Sequence, residues 1–145
     1  MRSILLALAI AGLPFTAWAQ GAQIGWLKTV SGTVSIQRGG QATPATIGMP
    51  LQKGDVIETG DDGSAGVTLA DNSTFSAGPR SKVSVDEFDY DSSTLKGSSL
   101  TNLQRGTLSA SSGDIARGNP GAMRVRTPSA VLAVRGTTFL VRVEE

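Results

Sequence analysis

The sequence contains neither cysteine nor histidine. Without cysteine there is no disulfide, no thiolate ligand for a metal and no thiol nucleophile. Without histidine there is no Ser-His-Asp triad and no imidazole group for metal binding or acid–base catalysis. We therefore expect a protein that is not an enzyme and that has no catalytic residues, no cofactor and no metal site.

Aromatic residues and long apolar runs are also scarce. Phe, Trp and Tyr make up 5% of the chain, which also has 18 glycines, a composition that suits short strands and turns better than long helices. After residue 19 no segment approaches the roughly 20 apolar residues of a membrane-spanning helix. The 39% hydrophobic content and the length of 145 residues are nevertheless enough for one domain with a core.

The first 19 residues have the three parts of a secretory signal peptide. Arg2 supplies the positive start, residues 4–13 are apolar, and Ala17-Trp18-Ala19 is a small-x-small cleavage site. We expect cleavage before Gln20, leaving an exported all-β domain of residues 20–145, with an uncleaved anchor as the alternative. Because no cysteine is available for lipid attachment, the expected location is the periplasm of a bacterium or its medium.

Charge is balanced overall but unevenly placed. Removing Arg2 from the 13 basic residues leaves 12, which equals the 12 acidic residues. Acidic residues dominate from Asp55 to Asp91, and basic residues dominate from Lys96 to Arg142. We expect the two stretches to face each other with complementary charge, the alternative being a separate site for an anionic ligand. A neutral, exported chain is a poor candidate for binding nucleic acid.

Alternation of apolar and polar residues, as at Val34 and Ile36 and at Ala65, Val67 and Leu69, with turn signals about every 8 to 12 residues, indicates an all-β fold. We predict a compact antiparallel sandwich or roll of about ten to twelve short strands, with a β-solenoid as the alternative. Turns or bulges are expected at Gly54, Asp55, Gly60, Gly106 and Gly136, with two short strands on either side of Arg105-Gly106. The polar stretch 89–97 is predicted to be a surface loop, and the glycine-rich stretch 111–121 a mobile loop or linker.

The segment from Val125 to Val143 is the longest β-branched stretch and is predicted to form the central core strands. Its apolar set changes from even positions, such as Val134, to odd positions, such as Phe139. A bulge or bend at Gly136 explains the change and leaves Arg135 and Arg142 outside; the alternative keeps one parity and buries Arg135 beside a carboxylate.

Two glycines provide a comparison for this interpretation. Gly136→Val is predicted to destabilise more than Gly113→Val, because Gly113 is placed in a loose loop.

Carboxylates cluster from Asp86 to Asp91, where a calcium site or a glycosidase pair is conceivable. The stretch lacks the spacing and the glycine of an EF-hand loop, so a charged, solvated loop is the preferred interpretation.

Several motifs together resemble, in order, the FecR domain. They are Val30–Val34, Leu51–Gly60, Asp61–Ala65, Leu69–Ser73, Leu103–Gly106, Val125–Pro128 and Val134–Phe139. The resemblance implies an extracytoplasmic, all-β, non-enzymatic domain. In the best-known members this domain follows a cytoplasmic segment that regulates a sigma factor and one transmembrane helix, and it carries a signal from an outer-membrane siderophore receptor. This sequence departs from that pattern, since we identify neither the cytoplasmic segment nor the spanning helix.

Two functions are compatible with the sequence. The first is a periplasmic interaction or signalling module that binds another envelope protein through a sheet edge or through Arg124, Arg126, Arg135 and Arg142. The second is a glycan-binding or structural protein of the cell envelope that uses Trp26, Tyr90 and nearby carboxylates.

Overall fold

The computed structural model describes residues 21–135 and 138–144, and almost all of the regular structure in these residues is β. The predicted all-β fold is confirmed. The predicted signal peptide and the predicted bend at Gly136 lie outside the described residues.

The described residues form twelve strands and one short helix. The strands are β1 (Gln23–Ser31), β2 (Val34–Arg38), β3 (Gln41–Pro44), β4 (Pro50–Gln52), β5 (Val56–Thr59), β6 (Ser64–Leu69), β7 (Thr74–Ala77), β8 (Lys82–Asp91), β9 (Lys96–Ser111), β10 (Met123–Arg126), β11 (Val131–Val134) and β12 (Thr138–Val143). The helix, α1 (Asp114–Gly118), follows β9.

Strand β9, with 16 residues, organises the sheet. Its first part pairs with β8 and β10, and its second part pairs with β7 and β12. From β8 the sheet continues through β5 and β2 to β3, and from β7 it continues through β6 and β1 to β4. Only the β9–β10 pair is parallel among the described strands. The strands thus form one curled antiparallel sheet, shaped like half a barrel, rather than the stacked turns of a solenoid.

Gly106 bends β9 at the point where its partners change. Its φ of +92° is in the left-handed region, and a Cβ atom there would overlap Ser81. The buried Ser81 hydroxyl accepts the Thr107 N–H at 3.0 Å and donates to the Thr107 carbonyl at 3.2 Å. The sequence predicted two short strands about this glycine; the structure instead has one long strand bent there.

Apolar side chains from both parts of the sheet meet in one core. The predicted alternation holds in β2, where Val34 and Ile36 are buried. It fails in β1, where register shifts on both sides of the strand's centre bury Ile24 and Leu27 and leave Trp26 41% exposed. The largest side chains with almost no exposure are Leu27, Ile36, Leu51, Ile57, Leu69, Leu100, Leu103, Leu108, Ile115, Val67, Val83 and Val125.

The turn before β5 carries an ion pair that the sequence did not reveal. Gly54 has a φ of +87°, and the Asp55 N–H donates to the Gln52 carbonyl at 3.1 Å. The buried Asp55 carboxylate accepts two hydrogen bonds from Arg38, at 2.8 and 2.6 Å, and one from the Gln52 N–H at 2.8 Å. This hydrogen bonding and the charge of Asp55 raise the pKa of Arg38, despite the opposing effect of burial. Gly60, the next predicted turn, donates its N–H to the Thr33 carbonyl at 2.9 Å.

The C-terminal strands are not the centre of the core. Val125 is fully buried in β10, but β11 and β12 pair on one side only among the described strands and leave Val131 and Leu140 largely exposed. The predicted change of parity is seen at Val134, which is buried in β11, and at Phe139 and Val141, which pack against the core in β12; Leu132, at another even position, is 40% exposed. The two halves belong to different parts of the sheet, since β11 pairs with β10, beside the first part of β9, whereas β12 pairs with the second part of β9.

Two predicted loops contain regular structure. Residues 89–91 complete β8, residues 92–95 form a turn and residues 96–97 begin β9, so the acidic stretch 86–91 belongs to a strand, with Glu87, Asp89 and Asp91 exposed. The stretch 111–121 contains α1, whose Ile115 and Ala116 are buried, and it is not a linker. Gly113 at its start is buried, and a Cβ there would overlap the backbone of Asp71 and Ser73. The placement of Gly113 in a loose loop was therefore wrong.

Candidate functional site

A groove of about 310 Å³ lies between the edge strands β11 and β12. Within the described residues, β11 pairs only with β10, and β12 pairs only with β9. Two rows of backbone hydrogen-bonding groups are therefore left without a strand partner. We call this surface the β11–β12 groove; its lining residues are Leu132, Ala133, Val134, Arg135, Phe139, Leu140 and Val141.

Exposed apolar side chains lie in the groove, at Leu132 and Leu140, and beside it, at Val131. Val131 is 56% exposed, Leu132 is 40% exposed and Leu140 is 68% exposed. These are three of the six large hydrophobic residues that are exposed in the described chain, and the others are Trp26, Ile47 and Leu95. Exposed apolar residues that are concentrated in this way mark interaction surfaces, whereas single ones need no explanation.

The inner side of the groove is continuous with the protein core. Val134 is buried, and Phe139 and Val141 pack against the core cluster. In register, Leu132 lies opposite Val125 and Val134 opposite Met123, so both belong to the core-facing side of their sheet. The groove therefore has a packed floor on which a partner could dock without rearrangement of the core.

Two exposed arginines lie at or near this apolar surface. The exposed Arg135 lines the groove, and the exposed Arg126 lies in register with Val131 on the neighbouring strand. Arg124 is engaged with Glu87 at 3.1 Å, whereas Arg126, Arg135 and Arg142 make no ion pair with any described residue. Three of the four predicted binding arginines are thus available to a partner.

The four arginines do not form a single patch. Arg124 and Arg126 share the outer face of β10, beside β11. Arg142, on β12, lines a second cleft of about 510 Å³ at the bend of β9, together with Arg80, Thr107 and Glu144. The sequence identified these four arginines as candidates. It did not show that Arg135 lines the groove whereas Arg142 lines a separate cleft.

The acidic and basic stretches contact each other through two ion pairs. Glu58 pairs with Arg105 at 2.7 Å, and Glu87 pairs with Arg124 at 3.1 Å. These contacts agree with the complementary surfaces predicted from the sequence. Among the described residues, no group of three acidic side chains is arranged to hold a metal ion.

A polar cluster attaches α1 to the sheet. Asp114 accepts hydrogen bonds from the Tyr90 hydroxyl at 2.8 Å and from the Asn72 amide at 3.0 Å. These bonds, with a smaller contribution from Arg117, lower the pKa of Asp114. The same bond, with desolvation and nearby carboxylates, raises the pKa of Tyr90 to about 12. The buried Asp71 carboxylate accepts from the Ser73 N–H and hydroxyl, and its Oδ2 has no partner in the described residues.

This cluster bears on the predicted glycan site. The Tyr90 ring contacts Phe88, with centroids 6.5 Å apart, and its hydroxyl is committed to Asp114. Trp26 lies on β1, which β9, β7 and β6 separate from β8 in the sheet order. The structure therefore does not bring the two aromatic residues together along the sheet.

Comparison with models of known protein families gives a match over most of the chain. The family model described as FecR protein matches residues 55–145, which is more than half of the chain. The chain belongs to the FecR family. The FecR match covers β5 to β12 and includes the β11–β12 groove. The strands before the match are part of the same sheet, since β1 pairs with β6 and β2 with β5.

FecR membership indicates a signalling or regulatory module, and FecR proteins are usually associated with the cell envelope. No curated protein and no solved structure matches the chain. In the described part of the chain no helix has the length and apolarity to cross a membrane.

Proposed function

We propose that this FecR protein is an exported, non-enzymatic interaction module that takes part in signalling by binding another envelope protein through the β11–β12 groove. The observation that carries the proposal is the concentration of exposed Val131, Leu132 and Leu140 at two open strand edges. Open edges offer main-chain hydrogen bonds, and adjacent apolar pockets select the partner's side chains. A domain without histidine or cysteine is better suited to contact of this kind than to catalysis.

Export is part of the same proposal. Residues 1–19 carry the charge, the apolar core and the cleavage site of a signal peptide, and the balanced charge of the remaining chain gives no reason to expect a nucleic-acid partner. The partner is accordingly sought in the periplasm or on the outer surface of a bacterial cell.

Site-specific photocrosslinking in living cells tests the proposal. A photoreactive amino acid is placed at Leu132 or Leu140 in the groove, and at the exposed Lys28 or Lys53 as a control. We expect one discrete protein adduct from the groove positions and none from the control positions. The same cells are fractionated, because an unprocessed protein that stays in the cytoplasm would contradict export.

The second function gives a different result in the same study. Sedimentation of the protein with cell-wall polysaccharide, without any protein adduct from Leu132 or Leu140, would favour a glycan-binding or structural protein. Sedimentation that disappears in Trp26→Ala would locate that activity on β1.

A further inference from the structure

The free edge of β12 has two chemically different faces. Phe139, Val141 and Val143 point toward the core, and Leu140 and Arg142 alternate with them on the outside. A strand added to this edge would place every second side chain beside Phe139, Val141 and Val143, and the others beside Leu140 and Arg142. The edge therefore specifies an alternating pattern in whatever strand it accepts.

We propose that β12 binds an extended segment of another protein in which apolar residues alternate with acidic ones. This inference deepens the proposed function and rests on it, because it names the chemistry of the partner. The apolar residues of the segment would contact Leu132, Val134 and Val141 in the groove. Its acidic residues would lie near Arg142 and Arg135.

The charge of this region is the reason for an acidic partner. Residues 123–145 contain four arginines and two acidic residues, Glu144 and Glu145. Arg126, Arg135 and Arg142 are exposed and form no ion pair within the described residues. Opposite charges that lie across from each other on adjacent strands stabilise the pairing, whereas like charges oppose it. A basic segment would therefore be rejected.

Closure of the half-barrel is the reason for an extended partner. The sheet ends at β12 on one side of the groove and at β11 on the other, and neither edge has a partner there among the described strands. A strand inserted at this point satisfies backbone groups of β12 and covers Leu132 and Leu140 at once. A helix would cover the apolar side chains but would leave the backbone of the edge unpaired.

The chain itself contains one strand with the required alternation. In β8, Phe88 and Tyr90 are half-buried, whereas Glu87, Asp89 and Asp91 are exposed. A second copy is therefore the competing occupant. Glu87 is already paired with Arg124 of its own chain, which weakens this alternative.

Peptide binding tests the inference directly. The probes are two labelled peptides of about eight residues, a common strand length, in which valine alternates with glutamate in one and with lysine in the other. Binding to the purified protein is followed by fluorescence anisotropy. We expect the glutamate peptide to bind at least about tenfold more tightly, with a preference that shrinks in about 1 M salt, where the Debye length is about 3 Å.

Backbone pairing has its own test. Successive residues of a strand direct their N–H groups to opposite edges, so N-methylation of odd or of even residues blocks one edge at a time. One of the two methylated glutamate peptides should lose binding, and the other should keep it. Binding that survives in both peptides would show that side chains alone are used and would overturn strand addition.

Charge-reversed variants connect the probe to the groove. In the double variant Arg135→Glu, Arg142→Glu the glutamate peptide should bind roughly tenfold more weakly. The control double variant Lys28→Glu, Lys53→Glu replaces two exposed lysines, changes the net charge by the same amount and should leave binding unchanged. Equal binding of the two peptides, or equal effects of the variants, would overturn the inference.

Failure of the inference can be separated from failure of the proposed function. A protein adduct from Leu132 and Leu140, with no preference for the acidic peptide, would leave the function standing and reject this partner chemistry. Self-association that is lost in Glu87→Lys, together with the absence of peptide binding, would identify a second copy as the occupant and would also reject it.

Discussion

At the scale of single residues, the most informative group is Tyr90, the one tyrosine in the sequence. It was considered as a glycan-stacking residue, but its hydroxyl donates to Asp114 and so attaches α1 to β8. The pKa of Tyr90 is raised to about 12 from an ordinary 10.0 because the bond to Asp114 requires the neutral phenol. The contact is between residues far apart in sequence, so no local pattern could have predicted it.

The raised pKa gives a pH-dependent stability. Because the folded state favours the neutral phenol, the contribution of Tyr90 is complete below its ordinary pKa of 10.0 and is lost as the pH rises toward about 12. The free energy of unfolding, measured in urea from about pH 9 to pH 11.5, should fall more steeply in the native protein than in Tyr90→Phe. Lysines titrate in both proteins, so their effect cancels in the comparison.

A direct measurement accompanies this prediction. Phenolate absorbance reports on Tyr90 alone, and it should show a higher pKa in the folded protein than in urea. Identical slopes for the two proteins, or an ordinary phenol pKa in the folded state, would show that the hydrogen bond to Asp114 is not maintained in solution.

At the scale of elements, β9 and α1 show where sequence patterns fail. Glycine is typical of turns, so two short strands were predicted around Gly106. The structure instead has one bent strand, β9, which pairs with four others. Helix α1 has only 5 residues, which is too short for a helical period to be visible. Strands β2 and β6 were identified correctly because their large apolar side chains recur at every second position and turn residues bound each strand.

The junction between β9 and α1 should be intolerant of a side chain. Gly113→Ala would place its Cβ against the backbone of Asp71 and Ser73, so we expect a loss of about 2 kcal/mol in the free energy of unfolding. Gly78→Ala is the control, because its Cβ would lie 3.5 Å from Thr107, an ordinary contact. Its effect should be about 0.5 kcal/mol or less.

Urea denaturation of the two alanine variants measures the difference. Similar midpoints would indicate that Gly113 has room for a side chain and that the original placement in a loose loop was correct after all.

At the scale of the whole molecule, two leucines distinguish the core from the interaction surface. Leu108, in β9, has no exposed surface, whereas Leu140, in β12, is 68% exposed. Leu108→Ala should destabilise by about 3 kcal/mol, because it leaves a cavity in the core. Leu140→Ala should change stability by about 0.5 kcal/mol or less while it weakens partner binding. Thermal denaturation of both variants checks the prediction, and a large loss in Leu140→Ala would place β12 within the core.

The sequence by itself determined the all-β class, the alternation of β2 and the parity change between Val134 and Phe139, because these depend on neighbours along the chain. The candidate arginines were also identifiable, since charge is a property of composition. Tertiary structure alone decided that β11 is an edge strand beside β10, that β12 is an edge strand beside the second part of β9, and that Leu132 and Leu140 are exposed. The physical reason is that burial depends on which strands pair at a distance, and a β-branched edge strand has the same local pattern as a central one.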